Sequence, residues 1–421
     1  MLFLVVLLIV FVLTGAPIIA ALGGAGAIVG MNLDLPLSNV SQAMYQGLDS
    51  FTLLAIPLFI LTGALLHESG EAARLVDLVN LVVGRVPGGL GVSAVGSTMI
   101  FSGLSGSVNA DAAAISATMM PSMTRAGYRK EWSSAIIAAA SGTGILIPPS
   151  ITIIVLGTVT NLSITKLFLA ATVPAVLVGI TKVLVIMYRA RHEPAVERLP
   201  FSLRGLVLAF LKAIPALGAP VIILGGIFAG IFTATESAAV AVLYALLLAL
   251  LQRSIPLPAW PRLLAKSART SAVVLALVGV AQILAYMLAI DRVQEQVAAL
   301  ASTLTSNFLV FTVFVLVVFW LLGAILDGIP ALILLVPIFL PIAEQAGMSD
   351  LHFAVLALAI VGISLVTPPI GTACFIVTGV AEIKMVRLFR PMVPFMVIMF
   401  STILLLAYVP AFSEWLPSKF G

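Results

Sequence analysis

A chain of 421 residues that is 62% hydrophobic and only 9% charged cannot cover a soluble surface, for which roughly 25% charged residues are usual. Its mean hydropathy is +1.23. The formal charge of +4 is spread over short clusters between apolar runs, so no basic face exists for a nucleic acid. The single cysteine, Cys374, excludes an internal disulfide and a cysteine-based metal site.

Apolar runs recur along the chain at lengths near the roughly 20 residues that a helix needs to cross about 30 Å of hydrocarbon, and about 10 to 12 spanning segments are expected. The period-two alternation of outer-membrane strands is absent. Helices remain the way to satisfy the backbone in lipid, and the fold class is an all-α polytopic membrane protein.

In chain order, Met1 to about Ile28 reads as one helix interrupted at Gly15-Ala16-Pro17, and it lacks the positive flank of a secretory signal. It is expected to be a retained first helix. A second helix runs from Leu53 to about Leu66. Next, Glu68, Glu71, Arg74, Asp77 and Arg85 alternate with Leu75, Val76, Leu78, Val79, Val82 and Val83 at helical period, which suits a helix lying along the interface; an ordinary linker helix is the plainer reading. From Gly88 to Met123 the chain is unusually rich in Gly, Ala and Ser. Small residues permit close helix approach, and this stretch reads as a helical hairpin with SGSVNAD at or near its turn. The span from about Trp132 to Leu162 must break at Pro148-Pro149, because proline removes an amide donor and disfavours helix in the residue before it. A further span, about Leu167 to Met187, leads into the hydrophilic Tyr188 to Arg204 stretch.

The order then repeats. An offset of 220 residues places Pro121 on Pro341, Gly127 on Gly347, Gly142 on Gly362, Pro148 and Pro149 on Pro368 and Pro369, and Pro174 on Pro394. Paired repeats with broken helices in corresponding positions point to a secondary transporter. Arg125, Arg129 and Lys130 follow the first hairpin, while the matching second loop, Glu344 to Asp350, has no basic residue. One loop later the contrast reverses: Lys166 stands alone, whereas Lys384, Arg387 and Arg390 cluster. The positive-inside rule then puts equivalent loops on opposite sides and makes the repeats inverted. It also makes the Tyr188 to Arg204 and Arg253 to Arg269 segments cytoplasmic. The chain divides into 1–205 (first repeat, with scaffold helices, first hairpin and broken helix), 206–269 (connecting helices) and 270–421 (second repeat).

Polar groups at membrane depth are functional hypotheses by default. Asp327 is the best single case, and at the offset it falls on Ser107. Sodium prefers oxygen ligands, and a broken helix frees carbonyls at its C-terminal half-end. Ser105, Ser107, Asn109, Gly142 and Thr143 form one candidate sodium site; Asp327, Gly328 and Gly362 form its inverted counterpart. Half-helix N-termini attract a carboxylate, so Ser150, Thr152, Thr367, Gly371 and Thr372 are candidate substrate contacts. Against this, glycine and serine in membrane helices often serve packing alone. Asp111 reads as a solvated hairpin residue or an N-cap, and Glu236 as an acid in a first helical turn. His67, His192 and His352 are scattered and HESGE lacks the second histidine of the zinc-protease pattern, so no transition-metal site or cofactor is expected.

On GLDSFTLLAIPLFILTGALL, PGGLGVSAVGSTMIFSGLSGS, GILIPPSITIIVLG, GIFTATESAAVAVLYAL, LGAILDGIPALILLVPIFLPI and SLVTPPIGTACFIV, in that order, the chain resembles the large membrane subunit of tripartite ATP-independent periplasmic (TRAP) transporters. The resemblance implies sodium-coupled uptake of an organic acid across the bacterial inner membrane by an elevator-type movement. It also implies a four-helix small membrane subunit and a soluble periplasmic solute-binding protein. The turn matched by SGSVN and the break matched by VTPPIG would lie near the ions and solute. Where the family often has a second hydroxyl residue after Gly-Ser, this chain has Val108-Asn109. The small subunit is expected to be a separate polypeptide. Three other readings compete: a stand-alone sodium/divalent-anion symporter, an intramembrane enzyme using Asp111 and Asp327, and an ion channel. An aspartyl enzyme needs two carboxylates sharing one site, and a channel filter built by subunit symmetry leaves the paired breaks unexplained, so no enzymatic activity is expected.

Overall fold

The computed structural model describes residues 7, 10, 11, 14–191, 203–290 and 308–420. Most of the residues before Thr14 and the 192–202 part of the hydrophilic stretch, His192 included, lie outside the described residues. Among the described residues the chain is helical, with no strand. Eight helices among the described residues are long and apolar enough to span a membrane, and several shorter apolar ones accompany them.

The first part comprises α1 (Ile18–Asn32), α2 (Leu37–Leu48), a short 3-10 turn at Phe51–Leu54 and α3 (Ala55–Glu68). The α2 helix, rich in Ser, Asn and Gln, carries little apolar signal and was not expected from the sequence. The amphipathic segment forms α4 (Glu71–Val83). Leu75, Val76, Leu78 and Val79 are buried while Val82 is exposed. Glu71 is buried and takes an ion pair from Arg74 at 2.6 Å, and burial raises its carboxyl above the usual range against the opposing pull of Arg74.

The first hairpin is α5 (Gly89–Ser105) and α6 (Val108–Arg125). It leads to α7 (Lys130–Ser141), a non-helical stretch, α8 (Ile151–Thr160) and α9 (Ile164–Ala190). Two connecting helices follow, α10 (Leu203–Phe228) and α11 (Ala234–Gln252). At the start of α11, Thr233 and Glu236 form a reciprocal capping box, the first-turn acid expected for Glu236. The segment expected as a loop from Arg253 to Arg269 is mostly helix: α12 (Trp260–Ile290) begins within it, and Arg262, Lys266 and Arg269 sit on its first turns. The second half supplies α13 (Phe308–Leu326), α14 (Gly328–Gln345), α15 (Asp350–Ser364), α16 (Thr372–Ala381), α17 (Phe389–Tyr408) and α18 (Ala411–Phe420).

The 220-residue offset survives in three dimensions. Val108–Arg125 maps onto Gly328–Gln345, and the starts of α7 and α15 coincide at Lys130 and Asp350. The contacts pair likewise, α6 packing on α16 and α14 on α8. Lys130 donates to Ala381 O at 3.1 Å, Arg387 approaches Glu131 at 3.5 Å, and Arg189 stacks over Trp132 at 4.2 Å. The start of α7, the ends of α9 and α16 and the start of α17 therefore share one basic face. At the other end of α17, roughly 30 Å away for a helix of that length, His352 bonds Ser413 at 2.7 Å and Ser349 donates to the Glu414 carboxylate. Equivalent helices α7 and α15 thus begin at opposite ends of α17.

The halves meet where both helices break. A β-carbon on Gly142 would stand 2.7 Å from Gly362 O, and one on Gly362 would stand 2.5 Å from Gly142 O. Only a bare α-carbon fits on either side. Gly142→Ala and Gly362→Ala are each expected to destabilise the detergent-solubilised protein by about 2 kcal/mol through overpacking. Gly379→Ala on α16, where nothing lies within 4 Å, is the control; thermal unfolding of the three variants checks the ranking.

Candidate functional site

Helix α7 ends at Ser141 and α15 at Ser364, and each chain resumes helix only after its proline pair, at Ile151 and Thr372. The Pro148–Pro149 and Pro368–Pro369 peptide bonds are both cis. The second break is closed by its own backbone, with Gly371 N donating to Thr367 O at 2.8 Å and Ala373 N to Leu365 O at 3.1 Å.

Both hairpin tips press into these breaks. On the first, a β-carbon at Gly103 would meet Pro148 O at 3.2 Å, and one at Gly106 would meet Ile151 N at 2.8 Å. Gly106 turns with φ +58, a conformation that favours glycine. Ser107 then caps α6, its hydroxyl accepting from Ala110 N at 3.4 Å. On the second, Asp327 caps α14 through Oδ1, which accepts from Gly328 N at 2.8 Å, and it does so at φ 71, ψ 168. That region is costly for any residue with a β-carbon. The Ser107–Asp327 match read from the offset is therefore a match of N-caps. Among the described residues the Asp327 carboxylate makes no other hydrogen bond, so its second oxygen is available. Gly328 touches both breaks, since its β-carbon would meet Leu365 at 3.1 Å and Ile145 at 3.5 Å.

The most direct cross-link joins the two halves. Thr372 Oγ1, at the first turn of α16, donates to Asn109 Oδ1 on α6 at 2.8 Å. A residue assigned from sequence to the ion and one assigned to the solute are thus adjacent. Ser150, at the cap of α8, is wholly buried, and its hydroxyl has no partner among the described residues. Thr152, two residues further on, is also buried.

Other candidates are already occupied. Thr367 accepts from Trp320 Nε1 at 3.1 Å and donates to Ile363 O at 2.7 Å. Ser105 donates to Asp111. Thr143 accepts from Lys182 at 2.5 Å. Asp111 differs from both sequence readings: it is fully buried rather than solvated, and Ser107, not Asp111, is the cap. A buried carboxylate needs donors, and Ser102 and Ser105 both supply them from α5, which staples the hairpin arms together just below the tip. Gly144 of the first break lies directly against the same carboxylate and Ser102. The sequence reading overlooked Lys182, although a lone lysine within the apolar α9 meets the same rule that selected Asp327.

Two further cavities, of about 400 and 550 Å³, lie at the far end of α8. They share Ser50, Thr158 and Asn161, and they add Thr233 and Thr235 on one side and Gln46 and Gln282 on the other. None of the sequence-assigned site residues lines them.

Helices that stop in mid-protein, hairpin tips that enter the gaps, and oxygen-bearing side chains gathered there define a membrane transport protein. The family model described as "Tripartite ATP-independent periplasmic transporter, DctM component" matches residues 5–412. The chain is 34% identical over 381 residues to the C4-dicarboxylate TRAP transporter large permease protein DctM of Pseudomonas aeruginosa, covering 90% of this chain and 89% of that protein. It is 35% identical over 382 residues to the sialic acid TRAP transporter large permease protein SiaM of Vibrio cholerae, with the same coverage. Among solved structures it resembles the YdaH transporter of Alcanivorax borkumensis, with a TM-score of 0.68, 17% identity and 90% of each chain covered. The chain belongs to the DctM component family of tripartite ATP-independent periplasmic transporters.

If the Asn109–Thr372 bond holds the first tip against the second break, Asn109→Ala and Thr372→Val are expected to be non-additive. A double-mutant cycle on thermal stability is expected to return a coupling of about 1 kcal/mol; additive losses contradict the assignment.

Proposed function

We propose that this chain is the large subunit of a sodium-coupled importer of an organic acid in a bacterial inner membrane. The observation that carries the reading is the meeting of both hairpin tips with both broken helices, joined at Asn109 and Thr372. The opposite starting ends of α7 and α15 support inverted repeats, and inverted repeats of this kind support alternating access by an elevator-type movement of one helix set against the other. The spare oxygen of Asp327 and freed backbone near Gly362 suit a hard cation. The N-terminal ends of α8 and α16, with the unpartnered Ser150 hydroxyl and Thr372, suit the anionic group of the solute. The relatives named for C4-dicarboxylates and sialic acid carry anionic organic acids, the class expected here. A separate four-helix small membrane subunit and a periplasmic solute-binding protein complete the machine, the latter delivering the solute. No cofactor beyond the coupling sodium is called for.

The test is uptake in proteoliposomes holding this chain and its membrane partner, with the binding protein added outside. Uptake is expected only with inward sodium and binding protein together; uptake without the binding protein favours a stand-alone symporter. Asp327→Asn keeps an oxygen for the cap but removes the charge, and it is expected to raise the sodium concentration for half-maximal uptake at least tenfold, about 1.4 kcal/mol. An unchanged sodium titration rules out the ligand role.

A further inference from the structure

We propose that the Lys182 ammonium is a tethered cation standing at the first helix break, so that a sodium ion is excluded there and coupling sodium binds on the second-half side. The reading rests on the sodium coupling proposed above. Lys182 lies in the apolar α9 and is fully buried. Among the described residues its only hydrogen bond goes to Thr143 Oγ1, and no carboxylate pairs with it. A buried lysine without a counter-ion is costly, so a purely structural lysine would be expected to carry one. Its hydroxyl partner is the first residue after Gly142, at the point where α7 gives out and where a sodium ion would seek oxygen ligands. Two unit charges within a few ångströms in a medium of low dielectric repel strongly enough to weaken the second cation's binding by orders of magnitude. Ammonium and sodium are therefore alternatives at this position.

The second half shows the contrast. At the 220-residue offset Lys182 falls on Thr402 and Thr143 on Ile363. Thr402 bonds Ile398 O at 2.7 Å and lies 3.4 Å from Thr181 Oγ1, so the equivalent helices α9 and α17 touch where one carries a cation and the other a hydroxyl. Among the described residues no tethered cation occupies the second break, while Asp327 lies at the hairpin tip beside it. The two breaks are alike in backbone and differ in charge: the first has the Lys182 ammonium at Thr143, with the Asp111 carboxylate held by Ser102 and Ser105 against Gly144, and the second, among the described residues, has Asp327 alone at the adjoining tip.

The test counts bound sodium with radioactive sodium-22 on the purified full-length chain in complex with its membrane partner, using no solute. Lys182→Met is expected to bind about one more sodium ion per chain than the parent, because removing the ammonium opens the first position. Lys182→Arg retains the charge and the parent count, and Thr143→Val added to Lys182→Met reverses the gain. Lys182→Gln replaces Lys182→Met if the latter is not monodisperse. An unchanged or lower count in the charge-free variants overturns the proposal. A parent that binds no sodium overturns the coupling reading alone, since a gain on removing Lys182 still reports a position that the ammonium had blocked.

Discussion

The approach of Gly142 to Gly362 sets the distance at which everything else is placed. Each glycine offers a bare α-carbon to the carbonyl oxygen of the other, and any side chain there would drive the breaks apart. With the breaks in contact, a hairpin tip entering one half necessarily lies beside the other. Gly328 accordingly touches Ile145 of the first break and Leu365 of the second, and Asn109 of the first hairpin reaches Thr372 of the second broken helix. The site is a consequence of this crossing and belongs to neither half alone.

On this shared backbone the halves carry different charges. The first hairpin is stapled by buried Asp111, satisfied by two serines of the opposite arm. At the offset, Ala331 stands in its place, and the second hairpin instead carries its acid at the tip, where Asp327 uses one oxygen for the cap and keeps the other available. Lys182 adds a cation to the first half that Thr402 does not repeat. The matched helix pattern thus supplies the geometry, and a few buried ionisable residues give the two breaks distinct chemistry. Such residues are expensive in lipid, and each is held by hydroxyl or backbone partners rather than by an opposite charge.

Much of this was legible from the residues. Proline pairs and small-residue runs report backbone requirements, so the breaks, hairpins and 220-residue offset could be read directly, and the basic loops foretold the face that Lys130, Arg189 and Arg387 now share. The Ser107–Asp327 correspondence also held, as paired caps. What stayed hidden was partner choice. Composition cannot say that the Thr143 hydroxyl faces a lysine 39 residues onward, that Thr367 serves Trp320, or that Asp111 turns inward onto Ser102 and Ser105. These depend on helix rotation and packing. The α2 helix was missed because its polar sequence relies on packing against α12, a tertiary effect that no local pattern encodes.

The most direct test of the central claim is an experimental structure of the complex, determined in saturating sodium with a bound organic acid. The crossing of breaks and hairpins predicts solute density between Asn109, Ser150 and Thr372, with ion density beside Asp327. Solute density confined to the cavities at Ser50, Thr158 and Asn161, with the crossing point filled by side chains, would contradict it.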